Sequence, residues 1–276
     1  MRNQNNKGCH SERSEEPAFR PDRASNRFRL RVLAALFLAC ATLAPRAILP
    51  LAHAEDAVSA LGNLEASLEK DPDNLRLGAN YRQMVIQTNQ YDRGLKFFEK
   101  LVAEHDGSSN AHLNYGFEYV DKIPVAGSIT QVLLANNALA QFSKSIELRA
   151  SWIAYYSRGN SYLFWPKIFG KTPMALADIE QAIKIQKADK KQAYHVRTYI
   201  ALGDGYWKMD ELDKATAAWK EGLAQFPDSQ PLKARLAKQG DELKAVIDDF
   251  YDITKRIDTS LVELFPSQNG QGVAAK

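Results

Sequence analysis

Small and aromatic residues recur along this chain at offsets that a helical hairpin satisfies. The clearest copy runs from Val196 to Ser229. Tyr199, Leu202 and Tyr206 are spaced i, i+3, i+7 and share one face of a helix. Ala215, Trp219, Gly222 and Leu223 share a face of a second helix, and Lys208 to Glu211 form a short polar connection. Two antiparallel helices joined this tightly need small residues where they touch, and Gly203 and Ala215 supply them. Pro227 cannot continue a helix and ends the second one. A lone hairpin cannot bury its apolar face, so copies must stack beside it.

Copies are present. Residues 75–108 carry Tyr81, Val85, Tyr91, Gly94, Phe98 and Leu101, although Arg82 stands where the last copy has Gly203. Residues 109–151 carry Tyr115, Gly116 and Tyr119, then Ala138, Phe142 and Ile146. Residues 152–189 carry Tyr155, Gly159 and Tyr162, then Ala175, Ile179 and Ala182. The fourth copy is 196–229, and residues 55–74, with Ala60, Leu64, Leu68 and Pro72, look like the second helix of a half-repeat. The order Tyr199, Leu202, Gly203, Tyr206, Ala215, Trp219, Pro227 follows the tetratricopeptide pattern, with Tyr for its leading Trp and Trp219 for its Phe. The chain therefore resembles the tetratricopeptide repeat (TPR) family from about Glu55 to Ser229. The resemblance implies an all-α, right-handed solenoid of antiparallel helix pairs with helical caps. It also implies a scaffold or adaptor that binds a protein or peptide rather than an enzyme.

The first 54 residues stand apart. Arg27, Arg29 and Arg31 precede the apolar run Val32 to Ala44, and Ala52-His53-Ala54 is a small-x-small cleavage pattern. We read a signal peptide cleaved after Ala54 and an exported, periplasmic or secreted product. Leu38-Ala39-Cys40 is the tail of a weak lipobox, so anchoring as a lipoprotein at Cys40 is the alternative. Both cysteines, Cys9 and Cys40, lie in this leader, which excludes disulfides from the cleaved product. The formal charge of +3 also belongs to the leader, which holds 9 basic and 4 acidic residues of totals of 36 and 33. The remainder is weakly acidic, and nucleic-acid binding has no support.

Two insertions break the repeat period. Tyr119 and Ala138 are 19 residues apart where Tyr206 and Ala215 are 9 apart, and Tyr162 and Ala175 are 13 apart. The added segments contain Ile123 and Val125 in one case and Phe164, Trp165 and Phe169 in the other. Adjacent repeats place both on one edge. They are expected either to pack on each other or to form an edge patch for a partner or a membrane surface.

Residues 230–265 are expected to form capping helices. From Asp241, the residues Leu243, Ile247, Phe250, Thr254, Ile257, Leu261 and Leu264 follow heptad spacing, which predicts one long helix. It would be either a cap or the seam of a homodimer, the second giving a structural homo-oligomer. The tail 266–276 is expected to be disordered.

No catalytic, metal-binding or cofactor-binding constellation is visible, and no cofactor is expected. In TPR arrays the first helix of each repeat lines a concave groove. The resemblance then assigns Phe117, Tyr156, Asn160, Ile200, Asp204 and Trp207 to a partner-binding groove. Asn160 matches one position of the carboxylate clamp that some TPR domains use. Tyr156 and Ile200 occupy places where that clamp needs basic residues, so an aromatic, weakly charged groove is expected instead.

Overall fold

The computed structural model describes residues 51–265, with side chains from residue 58. The leader readings before Leu51, Cys9 and Cys40 among them, and the tail 266–276 lie outside the described residues. Eleven α-helices occur among the described residues, in consecutive antiparallel pairs and without a strand. Helix α1 (Leu51–Lys70) precedes α2 (Leu75–Thr88) and α3 (Tyr91–Glu104). The next pairs are α4 (Ser109–Lys122) with α5 (Ser128–Leu148), and α6 (Trp152–Leu163) with α7 (Thr172–Lys187). Then come α8 (Val196–Lys208) with α9 (Leu212–Gln225), and α10 (Gln230–Ala237) with α11 (Gly240–Phe250).

Local chemistry sets the helix starts. Asn74, Ser108, Ser151 and Ser229 each cap the helix that follows, accepting from the backbone N–H of Leu77, Ala111, Ala154 and Leu232. Helix α8 is entered instead through a 3-10 turn, Ala193–His195. Within a pair, glycine permits close approach. A Cβ on Gly203 would stand 2.1 Å from Nε1 of Trp219, and one on Gly116 would stand 2.5 Å from Cε1 of Phe142. The aromatic ring of the second helix therefore sits directly on the backbone of the first.

The apolar stripes merge into clusters that run along the array. Tyr81, Phe98 and Leu101 belong to the first, and Leu113, Phe117 and Phe142 to the next. Tyr162, Ile179 and Tyr199 join the third and fourth pairs, and Ile200, Trp219, Leu232 and Ile247 seal the end under α10 and α11. Helix α1 begins at Leu51 and ends at Lys70, where a half-repeat over 55–74 was expected, and is tied down where Glu65 accepts from Tyr81 and Arg93 at 2.8 Å each.

Two expectations change. The first insertion is not a loop: after a 3-10 turn, Ile123–Val125, it becomes the extra first turns of α5. The C-terminal heptad helix does not exist beyond Phe250. Leu243 and Ile247 are buried as the stripe requires, but α11 stops there. Asp252 Oδ1 accepts from the backbone and hydroxyl of Thr254, and Asp258 Oδ1 accepts from the backbone of Ser260. Short polar side chains that bond their own backbone compete with helix formation, and here they win. Residues 252–265 instead return over the array as a non-helical strap, ending in a 3-10 turn, Val262–Leu264.

Candidate functional site

The first helices α2, α4, α6 and α8 share one face, and the strap lies on it. Arg82, fully buried on α2, is its main anchor. Its Nη1 pairs with Asp121 at 2.7 Å, its Nη2 donates to the Thr259 carbonyl at 2.7 Å, and its Nε donates to Asn114 at 3.2 Å. Its guanidinium also lies 4.8 Å from the ring centre of Phe117. Thr259 donates its hydroxyl to Asp121, and Arg256 donates to the Asp121 carbonyl at 3.0 Å and to the Tyr91 hydroxyl at 2.7 Å. Burial pushes the Asp121 carboxyl up, against the downward pull of Arg82 and Thr259. Further along, Arg197 on α8 pairs with Glu263 at 2.8 Å, and Leu261 is buried among Ala79, Leu113, Phe117 and Ala154.

The groove residues expected from sequence divide into two places. Phe117 and Tyr156 reach the side that the strap covers but are not free there. Phe117 is 7% exposed and packs edge-on against Phe142, while Tyr156 stacks on Trp152 with centroids 5.1 Å apart. Burial raises the Tyr156 phenol, opposed by Arg197. The expectation of open groove aromatics therefore fails at these two positions, because the strap and the neighbouring rings cover them. Asn160 stands beside them, half-buried, with its Oδ1 buried and without a hydrogen bond.

Ile200, Asp204 and Trp207 lie elsewhere, under the last helix pair. Asp204 is fully buried and accepts from Arg235 on α10 at 2.6 and 2.7 Å and from Trp219 at 3.2 Å. Ile200 is buried beside Trp219 and Leu232, and Trp207 is half-buried at the margin of that cluster. Ile200 and Asp204 hold the cap in place and are closed to a partner on this face. Sequence spacing put Asp204 on the right helix face but could not show that Arg235 would cover it.

Both insertions meet at the same place as Phe117, Tyr156 and Asn160. They enclose a mainly apolar cleft of about 410 Å³. Phe117 and Val120 of α4, Val132 and Ala135 of α5, and Ile153, Tyr156 and Asn160 of α6 form its walls. Ile123 and the Phe164, Trp165 and Phe169 segment close one side, and Ile253, Ile257 and Leu261 of the strap close another. Lys208 of α8 holds the second insertion in place by donating to the carbonyls of Leu163 and Trp165. Trp165 and Phe169 meet edge-on at 5.5 Å, and Phe164 meets Tyr251 edge-on at 5.0 Å. Val125 is outside the lining and exposed. The strap walls were missed from sequence because they were assigned to a helix.

No protein-family model matches the chain, and no curated protein sequence does. Among solved structures, the chain is similar to a thermophilic TPR protein of Thermus thermophilus, with 20% identity and a TM-score of 0.48 over 68% of this chain and 92% of that one. It is also similar to MamA in two crystal structures, each 18% identical. Their TM-scores are 0.45 and 0.46, covering 63% and 66% of this chain and 84% and 94% of those chains. The helix pairs described above carry the assignment to an all-α repeat array.

Proposed function

We propose that the protein is an exported, non-catalytic scaffold whose concave face holds an extended polypeptide segment of a partner. One observation carries this reading: the face already binds a non-helical segment, its own residues 252–265, of which 256–260 are free of turn and helix. Arg82 takes the backbone carbonyl of Thr259, Asp121 takes a side chain, and the apolar clusters take Leu261. Backbone hydrogen bonds with alternating apolar anchors are the general means of gripping extended peptides. The export half of the reading rests on the leader, with its basic start, apolar run and Ala52-His53-Ala54 pattern. The homodimer seam is not carried forward, because Ile257 and Leu261 do not lie on a helix.

The test is binding in trans. A tethered segment competes at an effective concentration of roughly millimolar, so the wild-type face is occupied. Leu261→Asp puts a charge into an apolar site and should release the strap. A fluorescent peptide with the sequence of residues 252–265 is then expected to bind this variant at least about tenfold more tightly than wild type by anisotropy. Equal binding to both, with circular dichroism showing both folded, would sink the proposal. Mass spectrometry of the exported species, expected to start at Glu55, tests the leader.

A further inference from the structure

The cleft beneath the strap has a chemistry of its own. Its volume of about 410 Å³ lies at the low end of the range of roughly 300–1,000 Å³ for small-molecule sites. An α-helix with side chains is about 10–12 Å across, too broad for more than a fragment of one to enter. An extended peptide needs partners for its N–H and C=O groups, because burying them unpaired is costly. The wall offers few. The charged groups that reach it are already engaged: Asp121 with Arg82 and Thr259, Arg197 with Glu263, Lys255 with Asp249, Arg256 with Tyr91, and Asp258 with the backbone N–H of Ser260. Most of what remains is hydrocarbon and aromatic surface, interrupted by the short polar side chains of Ser128, Ser157 and Ser161 and by the amides of Gln131 and Asn160.

The cleft also opens onto apolar surface. Val132, Phe169, Ile253 and Ile257 line it and are exposed to solvent. Exposed Ile129 and Leu133 on α5 and Ile168, which is 90% exposed, lie within three positions of those residues in sequence. A ligand that enters here must be apolar along its length and needs at most one hydrogen-bonding head.

We propose that this cleft is a binding site for a single unbranched fatty-acyl chain, with the strap as one wall. The chain could come from a free fatty acid or from a bilayer lipid, and the chemistry inside the cleft is the same. The site is independent of the peptide-binding reading. Because the strap is one of its walls, an acyl ligand should stabilise the closed strap.

The experiment is a length series of saturated fatty acids from eight to eighteen carbons, titrated into the full chain below their micellar concentrations. Trp165 and Trp152 line the cleft and report binding by intrinsic fluorescence. Affinity is expected to rise about fourfold per methylene and then level off when the cleft is full. Ala135→Phe, which fills the cleft from α5, should lower affinity at least about tenfold while leaving the melting temperature near wild type. Ile168→Ser, outside the lining, should leave affinity unchanged. No binding at any length overturns the proposal. So does affinity that climbs without a plateau, or that falls with Ile168→Ser and not with Ala135→Phe, since either describes adsorption to the surface. Vesicles of phosphatidylcholine and phosphatidylglycerol separate the sources. Co-sedimentation that Ala135→Phe abolishes assigns the chain to the bilayer, and fatty-acid binding without co-sedimentation assigns it to the free acid.

Discussion

Individual residues in this array carry two kinds of burial, and they respond to pH differently. Arg82 and Asp121 are buried as a pair, and removing one partner of such a pair typically costs about 3–5 kcal/mol. Glu118, one turn before Lys122 on α4, is fully buried with neither carboxylate oxygen hydrogen-bonded. It lies against Gly94, where an added Cβ would stand 2.3 Å from its Oε1. Burial first, and Asp121 second, push its carboxyl well above the ordinary 4.5. The folded chain thus holds this proton more tightly than the unfolded chain. Stability is greatest below the ordinary value and falls as pH rises from there toward the shifted one. Glu118→Gln removes that dependence without adding volume. The variant is expected to melt higher than wild type at about pH 7 and to converge with it near about pH 4. A constant difference across that range would show that the carboxyl does not titrate in this way.

At the level of elements, the strap corrects the reading of the C-terminal region. Heptad spacing from Leu243 to Leu264 is real as a pattern, and its first two members obey it. The later members leave the helix because Asp252 and Asp258 turn the backbone out of it. Leu261 takes the left-handed conformation, with φ 58°, as it enters the apolar cluster beside Phe117. Leu261→Asp is therefore expected to lower stability by about 2–5 kcal/mol, in the range of lost buried leucines. Light scattering should give wild type and variant the same monomer mass at micromolar concentration. A wild-type dimer that this substitution dissociates would restore the seam.

Across the whole molecule, the strap changes what kind of repeat protein this is. A simple solenoid is held by contacts between neighbouring repeats, so its stability is close to a sum along the array. Here Arg82 of the first repeat bonds Thr259, 177 positions away, and Arg197 of the last repeat bonds Glu263 on the same strap. Joining first and last repeats should make unfolding a single event. Urea unfolding of the full chain is expected to give coincident transitions by circular dichroism and tryptophan fluorescence. A chain ending at Phe250 should unfold at lower urea with the two signals separated. Coincident, unshifted transitions in the shortened chain would mean that the strap lies on the array without coupling it.

The hairpins were legible from sequence because each is specified locally. Tyr199, Gly203, Tyr206, Ala215 and Trp219 sit within one repeat, and helix periodicity alone states which of them face each other. The capping residues Asn74, Ser108, Ser151 and Ser229, each one position before its helix, are equally local. The site was legible only in part. Phe117, Tyr156 and Asn160 lie on the first helices expected of them and the second insertion joins α6 to α7, whereas the first insertion became part of α5. Whether Phe117 is open or covered depends on Leu261, and whether Asp204 is a groove residue or a buried ion pair depends on Arg235. Those partners are distant in sequence and ordinary in type, so no local pattern marks them. They become a network only when tertiary packing removes water from both partners at once, which makes pairing obligatory for each buried polar group.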